Sequence, residues 1–385
     1  MSRARNQMLR SILLTLVICF PVSARPTDES KPEKLRIITH NVWYGFTKKT
    51  EPRDADWKRW MKAQTPDVVS LQELNTYTEE RLRADAESWG HPYSVLLKED
   101  GFPTGITSRY PINDVKRIRR GFHHGLLRCR IQGIWFYVIH FHPSNFQRRI
   151  DEAALVKQDV ESLPEENPKV VLAGDFNGFS PADKSQYDSD QLLVPFFRGL
   201  DQKNSSARNL NDGRLDYGGI QAILEQGYTD LIASRRSPHL PFVGTFPGSL
   251  VSDQDHGTDR RLDYIFVSPS LREQAESVAI LRDPCTEMLS DHIPVTATIR
   301  LREPAARESV FASKPKLLQE TGAGEGPAWH PKLGLLTSGG GNINRRAPAG
   351  DQSVWFRDAG SNGLRFDKQG DLVICQSAQR RLVRR

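Results

Sequence analysis

The sequence contains little cysteine, and this excludes a protein held together by disulfides. Only four cysteines occur in 385 residues, and Cys19 lies in an N-terminal segment that we predict to be removed. Three cysteines then remain, and an odd number in an exported protein argues against a disulfide framework. Their spacing does not suit a zinc site. We expect at most one disulfide within the chain.

Long apolar runs are also scarce, with one exception at the N-terminus. Three arginines precede the apolar residues 12–20, and Val22-Ser23-Ala24 then offers the small side chains that a signal peptidase reads. A membrane span needs about 20 apolar residues, so the pattern predicts a cleaved signal peptide. A disordered basic start is the weaker alternative. We therefore expect a secreted or periplasmic protein with no membrane span after cleavage.

The body of the chain carries little net charge, although the whole chain has a net charge of +6 and an isoelectric point of about 9.1. Three arginines fall within the predicted signal peptide, and four more lie among the last six residues. Without these ends the chain is close to neutral, so the basic isoelectric point is poor evidence for a nucleic-acid-binding surface. The short basic stretches at 116–120 and 148–149 are interpreted as solvated faces.

The composition divides the chain into five parts. We predict a signal peptide at 1–24 and a polar linker at 25–34. Strand and helix patterns alternate over 35–301 and predict one large α/β domain. A charged linker follows at 302–322, and a glycine-rich segment with short strands occupies 323–385.

Three amphipathic helices are predicted within the large domain, at 54–64, 78–89 and 148–163. Residues 182–219 are polar and are interpreted as an insertion with its own helices. The third helix is expected to turn four apolar side chains inward, namely Ile150, Ala153, Ala154 and Val160.

Five short stretches contain residues that bind metals or move protons, and each adjoins a run typical of a β-strand. They are Thr39-His40-Asn41, Ser70-Leu71-Gln72-Glu73, Val138-Ile139-His140, Gly174-Asp175-Phe176-Asn177 and Ser290-Asp291-His292. Strands that end in a carboxylate, an amide or an imidazole predict a site at the edge of a sheet. Hard oxygen ligands beside two kinds of proton carrier are what metal-assisted phosphoester cleavage requires.

These stretches, with Arg261-Leu262-Asp263-Tyr264, match in order the motifs of the endonuclease/exonuclease/phosphatase superfamily. Residues 35–301 therefore resemble this group, which includes deoxyribonuclease-like enzymes, abasic-site endonucleases, sphingomyelinases and inositol polyphosphate phosphatases. The resemblance implies a four-layer α/β sandwich with two central, mostly antiparallel sheets, here followed by a short β-rich C-terminal fragment. It also implies a metal-dependent hydrolase that cleaves phosphodiester bonds by in-line attack of water.

Three residues are the predicted metal ligands, and Mg²⁺ (or Mn²⁺) is the expected cofactor. Glu73 at a strand end offers a carboxylate, the ligand that Mg²⁺ prefers; a surface glutamate after a core strand is the alternative. Asn41 is expected to hold the metal or to hydrogen-bond Glu73. Asp291 is expected to complete the metal shell, directly or through water.

Asp175 and Asn177 are the first predicted catalytic pair. They are two residues apart, so their side chains point the same way in an extended segment. Asp175 would orient the attacking water or take its proton, and the Asn177 amide would donate to a phosphoryl oxygen. A turn that caps the strand is the alternative.

His292 and Asp263 are the second predicted pair, with His292 as a base or a transition-state stabiliser and Asp263 fixing its tautomer. The alternative is that Asp263 forms a structural ion pair with Arg260 or Arg261.

A further histidine is expected to protonate or stabilise the leaving oxygen. His140 is favoured because Val138-Ile139 lead straight into it, but His142 would share its face in a strand, so both stay open. His123-His124 is a candidate for lining the cleft.

The last segment carries Glu325-Gly326-Pro327-Ala328-Trp329, which resembles the start of the gluconolactonase-like β-propeller family. In that family the glutamate of this motif binds a metal. A blade takes about 40–45 residues and a ring needs about four blades or more. We therefore interpret residues 323–385 as a partial propeller segment without lactonase activity; an unrelated glycine-rich segment is the alternative.

Three functions compete. An exported, monomeric phosphodiesterase is favoured, and its substrate is a nucleic acid, a phospholipid or a small phosphodiester. A sugar-lactone hydrolase or sugar-binding activity carried by the C-terminal segment is the second hypothesis. The third is a non-catalytic binding module, which the full set of acids and histidines disfavours because a pure binder does not need them.

Overall fold

The computed structural model describes residues 32–48, 53–237, 241–301 and 325–385. The predicted signal peptide, the second linker and most of the first lie outside these ranges. The chain divides into two compact units, Met1–Glu303 and Pro304–Arg385, and each is described by itself. Among the helices of the described ranges, none is both long and apolar enough to cross a membrane.

The described part of the first unit has fourteen strands and eight α-helices. The strands are β1 Lys34–Asn41, β2 Val68–Gln72, β3 Tyr93–Leu96, β4 Gly105–Ser108, β5 Asn113–Ile118, β6 Leu126–Ile131, β7 Ile134–His140, β8 Val170–Asp175, β9 Leu210–Asn211, β10 Arg214–Leu215, β11 Thr229–Asp230, β12 Asp263–Val267, β13 Ala275–Ile280 and β14 Val295–Arg300. The helices are α1 Arg53–Gln64, α2 Glu79–Ser88, α3 Phe146–Glu161, α4 Lys184–Ser189, α5 Leu193–Lys203, α6 Gly218–Leu224, α7 Leu231–Arg235 and α8 Asp253–His256. The three predicted helices are confirmed as α1, α2 and α3.

Two six-stranded sheets form the centre of this unit. Their strand orders are β13-β14-β1-β2-β4-β3 and β11-β12-β8-β7-β6-β5. Each sheet has one parallel pair, β1 with β2 and β7 with β8, and helices α1 and α3 make the crossovers that parallel strands need. The other described pairs within these sheets are antiparallel. The predicted pair of mostly antiparallel sheets is therefore confirmed.

The apolar side chains form three layers of packing, because successive residues of a strand face opposite sides of its sheet. Ile37 and Val171 belong to a buried cluster shared by the two sheets. Their neighbour Ile38 faces the other way and packs with Trp57 of α1, and on the second sheet Leu172 packs with Val156 of α3. The order is helix, sheet, sheet, helix, which is the predicted four-layer sandwich.

The inward face of α3 is more polar than predicted. Ala153 is fully buried, but Ala154 is exposed, so this part of the prediction is wrong. The helix turns about 100° per residue, and the buried face instead includes Arg149 and Glu152. Two ionisable side chains thus share the buried face of α3 with Ala153.

The second unit consists of small antiparallel sheets in the range 325–385. Its strands are β15 Glu325–His330, β16 Gly334–Gly339, β17 Asn342–Arg346, β18 Gln352–Phe356, β19 Gly363–Phe366, β20 Leu372–Gln376 and β21 Arg381–Arg384. Strands β15 to β18 form one sheet and β19 to β21 another, and Leu336, Ile343 and Ile374 lie in one buried cluster. The β-rich C-terminal fragment is confirmed, while the propeller resemblance stays a prediction.

Candidate active site

The candidate site lies where strands of both sheets end. In the second sheet, Asp175 at the end of β8 is paired with His140 at the end of β7 and with Asp263 at the start of β12. In the first sheet, Asn41 ends β1, and its Nδ2 donates a 3.2 Å hydrogen bond to Asp175 Oδ2. This bond joins the two sheets at one edge, and the residues predicted from separate motifs converge there.

Asp175 is the centre of the site. Its Oδ1 accepts the backbone N–H of Asn177 at 2.8 Å, and its Oδ2 accepts the Asn177 side-chain amide at 3.2 Å. The same oxygen lies 3.7 Å from His140 Nε2 and 3.8 Å from His292 Nε2. Asp175 is buried, and burial raises the pKa of its carboxyl above the usual value.

Asn177 positions Asp175 in this structure. Its Nδ2 donates to Asp175 and also to the carbonyl oxygen of Phe141 at 3.0 Å, so both amide hydrogens are engaged. The predicted donation to a phosphoryl oxygen would have to replace one of these two bonds.

His292 and Asp263 form a buried hydrogen-bonded pair, with His292 Nδ1 2.8 Å from Asp263 Oδ2. Burial alone would lower the pKa of His292, but the charges of Asp263 and Asp175 outweigh it and raise this pKa to about 10. His292 is therefore a cation at neutral pH. This favours a role as charge stabiliser over a role as base, the two roles that the sequence left open.

The alternative ion pair for Asp263 is wrong. Arg261 is fully buried and binds Asp183 and Asp230, each at 2.7 Å. Arg260 stacks against aromatic rings, including that of Phe246. Asp263 therefore pairs with His292 and not with either arginine.

Glu73 and Asn41 are joined on the first sheet. Asn41 Nδ2 donates to Glu73 Oε1 at 3.2 Å, and its Oδ1 accepts the backbone N–H of Trp43 at 3.0 Å. Asn41 therefore makes the predicted hydrogen bond to Glu73, and its role as a metal ligand stays a prediction. Glu73 has a φ of 58°, an unusual backbone conformation for a residue with a large side chain and one that concentrates at functional sites.

The carboxylates of Glu73 and Asp291 have the chemistry of a cation site. Asp291 is buried, and its only described side-chain partner is the Ser290 hydroxyl at 3.3 Å. Burial, with a further contribution from the charge of Glu73, raises the pKa of Asp291 to about 7. A hard divalent cation would offset this repulsion, and carboxylate oxygens are its preferred ligands. The residues present fit such an ion.

A second group, Asp175, Asp263 and His292, also has ligand atoms within 4.8 Å of one another. His292 Nδ1 is already engaged with Asp263, so we interpret this group as the proton-handling part of the site.

The structure brings His140, and not His142, to Asp175. His140 is 3% exposed and its ring stacks on that of His124, with centroids 3.8 Å apart. Burial lowers the pKa of His140 well below 6.5, so the imidazole is neutral at neutral pH. His142 Nδ1 instead accepts the backbone N–H of Ser144.

Two supporting residues were missed by the sequence analysis. His40 was not among the predicted site residues, but its Nε2 donates to the carbonyl oxygen of His292 at 3.0 Å while Trp57 Nε1 donates to its Nδ1. Thr245 Oγ1 accepts the backbone N–H groups of Leu262 and Asp263 at 2.9 and 3.0 Å. Position alone could have indicated His40, since it directly precedes Asn41.

The model of the Endonuclease/Exonuclease/phosphatase family matches residues 38–292, a range that contains all eight predicted site residues. No curated protein matches the sequence. Among solved structures, the chain is similar to an AP endonuclease from Archaeoglobus fulgidus, with 21% identity and a TM-score of 0.50 over 69% of this chain and 99% of that one. It is also similar to the 3′-5′ exonuclease NExo from Neisseria meningitidis, with 20% identity and a TM-score of 0.48 over 69% of this chain and 100% of that one. At this identity the first likeness is one of fold.

Proposed function

The chain belongs to the Endonuclease/Exonuclease/phosphatase family and is a nuclease- or phosphatase-like hydrolase; within that class, we propose that it cleaves phosphodiester bonds with the help of a divalent cation. The observation that carries the proposal is the convergence on Asp175 of Asn41, His140 and His292 at 3.2 to 3.8 Å. These groups surround one point. Asp175 supplies a base, His292 a protonated imidazole and His140 a neutral imidazole.

Asp175 would act on the attacking water. A general base works best when its pKa lies near the operating pH, and burial moves the carboxyl pKa of Asp175 upward in that direction. The two bonds from Asn177 and the one from Asn41 fix the carboxylate, so that it can orient the water in line with the phosphorus and accept its proton.

The two histidines would act on the oxygens of the phosphoryl group. Protonated His292, held by Asp263, would stabilise negative charge as it develops there, because preorganised donors in a buried site are worth more than in water. Neutral His140 has a buried Nδ1 without a protein partner among the described residues and an Nε2 near Asp175. Its imidazole would donate a hydrogen bond to the leaving oxygen.

Glu73 and Asp291 would hold the cation, proposed to be Mg²⁺ or Mn²⁺. When bound, this ion supplies charge neutralisation at a non-bridging or leaving oxygen.

The substrate class follows less directly from the site. Without its basic ends the chain is nearly neutral, and this does not support an extended groove that binds many phosphates. A nucleic acid, a phospholipid and a small phosphodiester are therefore all substrates to be tested. The proposed location, outside the cytoplasm, follows from the N-terminal sequence pattern.

The test is a hydrolysis assay with purified protein. Supercoiled DNA, sphingomyelin and bis-p-nitrophenyl phosphate are each incubated with Mg²⁺ or Mn²⁺, with and without EDTA. We expect at least one substrate to be cleaved with metal and spared with EDTA. Failure to cleave any of the three with either metal, by a protein shown to be folded, would refute the proposal.

A further inference from the structure

Two buried arginines next to the site have no acidic partner. Arg149 of α3 is 3% exposed, and its Nη1 donates to the carbonyl oxygens of His142 and Pro143 at 3.2 and 3.5 Å. Arg260 is 5% exposed; its Nη1 donates to the carbonyl oxygen of Thr258 at 2.9 Å, and its Nε is buried without a partner. In the ranges that the structure describes, no carboxylate forms an ion pair with either guanidinium.

The two other arginines described as buried, Arg53 and Arg261, have more partners. Arg261 binds the carboxylates of Asp183 and Asp230. Arg53 uses Nε, Nη1 and Nη2 to donate to the carbonyl oxygens of Lys48 and Leu289. A buried charge without such partners is costly, and burial lowers the pKa of both Arg149 and Arg260 to about 10.

The nearby carboxylates do not neutralise the two arginines by contact. Glu152, Asp201 and Asp216 act on Arg149 only at longer range, as Asp190 and Asp259 do on Arg260. Asp175, which is hydrogen-bonded to Asn41 and Asn177, acts on both arginines in the same way. Each of these acids is hydrogen-bonded elsewhere: Glu152 to the N–H groups of His123 and His142, Asp201 to Asn209, Asp216 to Gly218, Asp190 to Thr258, and Asp259 to Gly244 and Arg282.

Both arginines line one small pocket, together with Asn177, Asn209 and Phe179. The pocket has a volume of about 40 Å³, and one water molecule needs roughly 10–15 Å³ of such volume. This is room for about three waters or one tetrahedral oxyanion, and too little for a nucleobase. The pocket adjoins the catalytic centre, because Asn177 also holds Asp175.

We propose that this pocket, with Arg149 and Arg260 as its donors, is a subsite for a second phosphate group of the substrate, beside the phosphodiester that is cleaved. The guanidinium fork matches phosphate oxygens in a bidentate way, and two arginines offset the charge of a phosphate. The statement that the bound phosphate belongs to the substrate rests on the proposed function, whereas the statement that the pocket binds phosphate does not. The group bound is either a neighbouring phosphate of a nucleotide chain or free inorganic phosphate.

The first experiment measures binding without turnover. The full chain is titrated with inorganic phosphate by calorimetry in EDTA, which removes any cation at Glu73 and Asp291. We expect saturable binding of phosphate by the parent. The dissociation constant should rise at least about tenfold in Arg149→Gln and in Arg260→Gln, because each variant loses at least one charge-assisted hydrogen bond to the phosphate. Arg198→Gln, which removes an exposed arginine of α5, should bind like the parent.

Folding of the variants is checked in the same series by thermal unfolding. Because Arg260 is buried without an acid, Arg260→Gln should unfold no lower than the parent in phosphate-free buffer. Phosphate should raise the unfolding temperature of the parent more than that of either Gln variant. Arg260→Lys keeps a charge but loses the fork, so it should bind phosphate with intermediate affinity. If the parent fails to bind phosphate, or if both Gln variants bind phosphate as tightly as the parent does, the subsite is refuted.

The second experiment identifies the source of the phosphate. Parent and Arg260→Gln are compared on a thymidine dinucleotide with and without a terminal 5′-phosphate, in the presence of Mg²⁺. A subsite for a substrate phosphate predicts a higher kcat/KM for the phosphorylated dinucleotide in the parent, and loss of that preference in the variant. Equal preference in both proteins would overturn the substrate role. Phosphate binding by a folded protein that hydrolyses neither the dinucleotides nor any of the three substrates tested above would refute the proposed function while leaving the pocket in place.

Discussion

His292 is the residue whose chemistry depends most on its immediate neighbours. Two carboxylates flank its ring, one at 2.8 Å and the other at 3.8 Å, and together they keep the imidazole charged despite burial. Glu73, on the other sheet, is proposed to offer negative charge to a cation. Each residue acts through charge, so removing either should impair turnover more than folding.

We therefore expect His292→Ala and Glu73→Ala each to lower phosphodiesterase kcat/KM at least about 100-fold, the lower end of what one positioned acid–base group contributes. The measurement is steady-state hydrolysis of the best substrate with Mg²⁺, with circular dichroism to show that the variants are folded. His330→Ala, in the second unit, is the matched control and should keep parental activity. Near-parental turnover by a folded His292 or Glu73 variant would contradict the assignment.

Arg261 tests the stability of the scaffold behind the site. Its guanidinium lies between two buried carboxylates, and removing one partner of such a network leaves uncompensated charge. We expect Arg261→Met to lower the free energy of unfolding by about 3–5 kcal/mol in urea denaturation. Arg59→Ala, which breaks an exposed pair with Asp56, should change it by less than about 1 kcal/mol. Equal effects of the two substitutions would show that the buried network adds no special stability.

Glu152 makes stability depend on pH. Burial raises its pKa from 4.5 to about 7, so between these values the folded state holds a proton that the unfolded state releases. Its contribution to stability is therefore complete below about pH 4.5 and is lost as pH rises towards 7. We expect Glu152→Gln to reduce the fall in unfolding free energy between pH 5 and pH 7, measured by urea denaturation. Glu225→Gln, at an exposed position, should leave that fall unchanged.

At the level of elements, the strand ends were predictable and the helix interior was not. Motif order and two-residue periodicity located Asp175, His140 and Asn41 at strand ends, because the side chains of a strand follow a fixed alternation. The inward face of α3 was misjudged at Ala154 because helix reasoning assigns charged residues to solvent. Arg149 is buried by a tertiary context that no local pattern encodes.

The N-terminus of α3 places Arg149 on the second turn, and Asn145 caps it. Asn145 Oδ1 accepts the backbone N–H of Arg148 at 3.2 Å, which satisfies one of the free donors at a helix start. We expect Asn145→Ala to lower the free energy of unfolding by about 1 kcal/mol, measured by urea denaturation. Gln158→Ala, an exposed change in the same helix, should stay within about 0.5 kcal/mol of the parent.

At the scale of the whole molecule, the family resemblance predicted the layered architecture, while local patterns predicted its strands and helices. The pairing of Arg261 with Asp183 and Asp230 spans tens of residues of sequence, and a single sequence offers no signal for it. The pocket of Arg149 and Arg260 was missed for the same reason, since its walls come from α3, α5 and the loops beside β8 and β12.

The division of the chain into two units leads to a prediction about the C-terminal segment. All eight predicted site residues lie between 41 and 292, and the first unit closes with β14, after which the backbone N–H of Leu301 donates to the carbonyl oxygen of Glu33 at 2.8 Å. The core shared by the two sheets draws on strands up to Ile299. We therefore expect a protein of residues 25–301 to fold and to hydrolyse the best substrate with kcat/KM within about twofold of the full chain.

The comparison uses both lengths of protein under identical metal conditions, with Glu73→Ala introduced into the shorter one as the inactive reference. Parental activity in the shorter protein, abolished by Glu73→Ala, would assign hydrolysis to the first unit alone. A shorter protein that folds cooperatively but cleaves nothing would mean that the β-rich segment takes part in catalysis, because folding and the eight residues would then be present without activity.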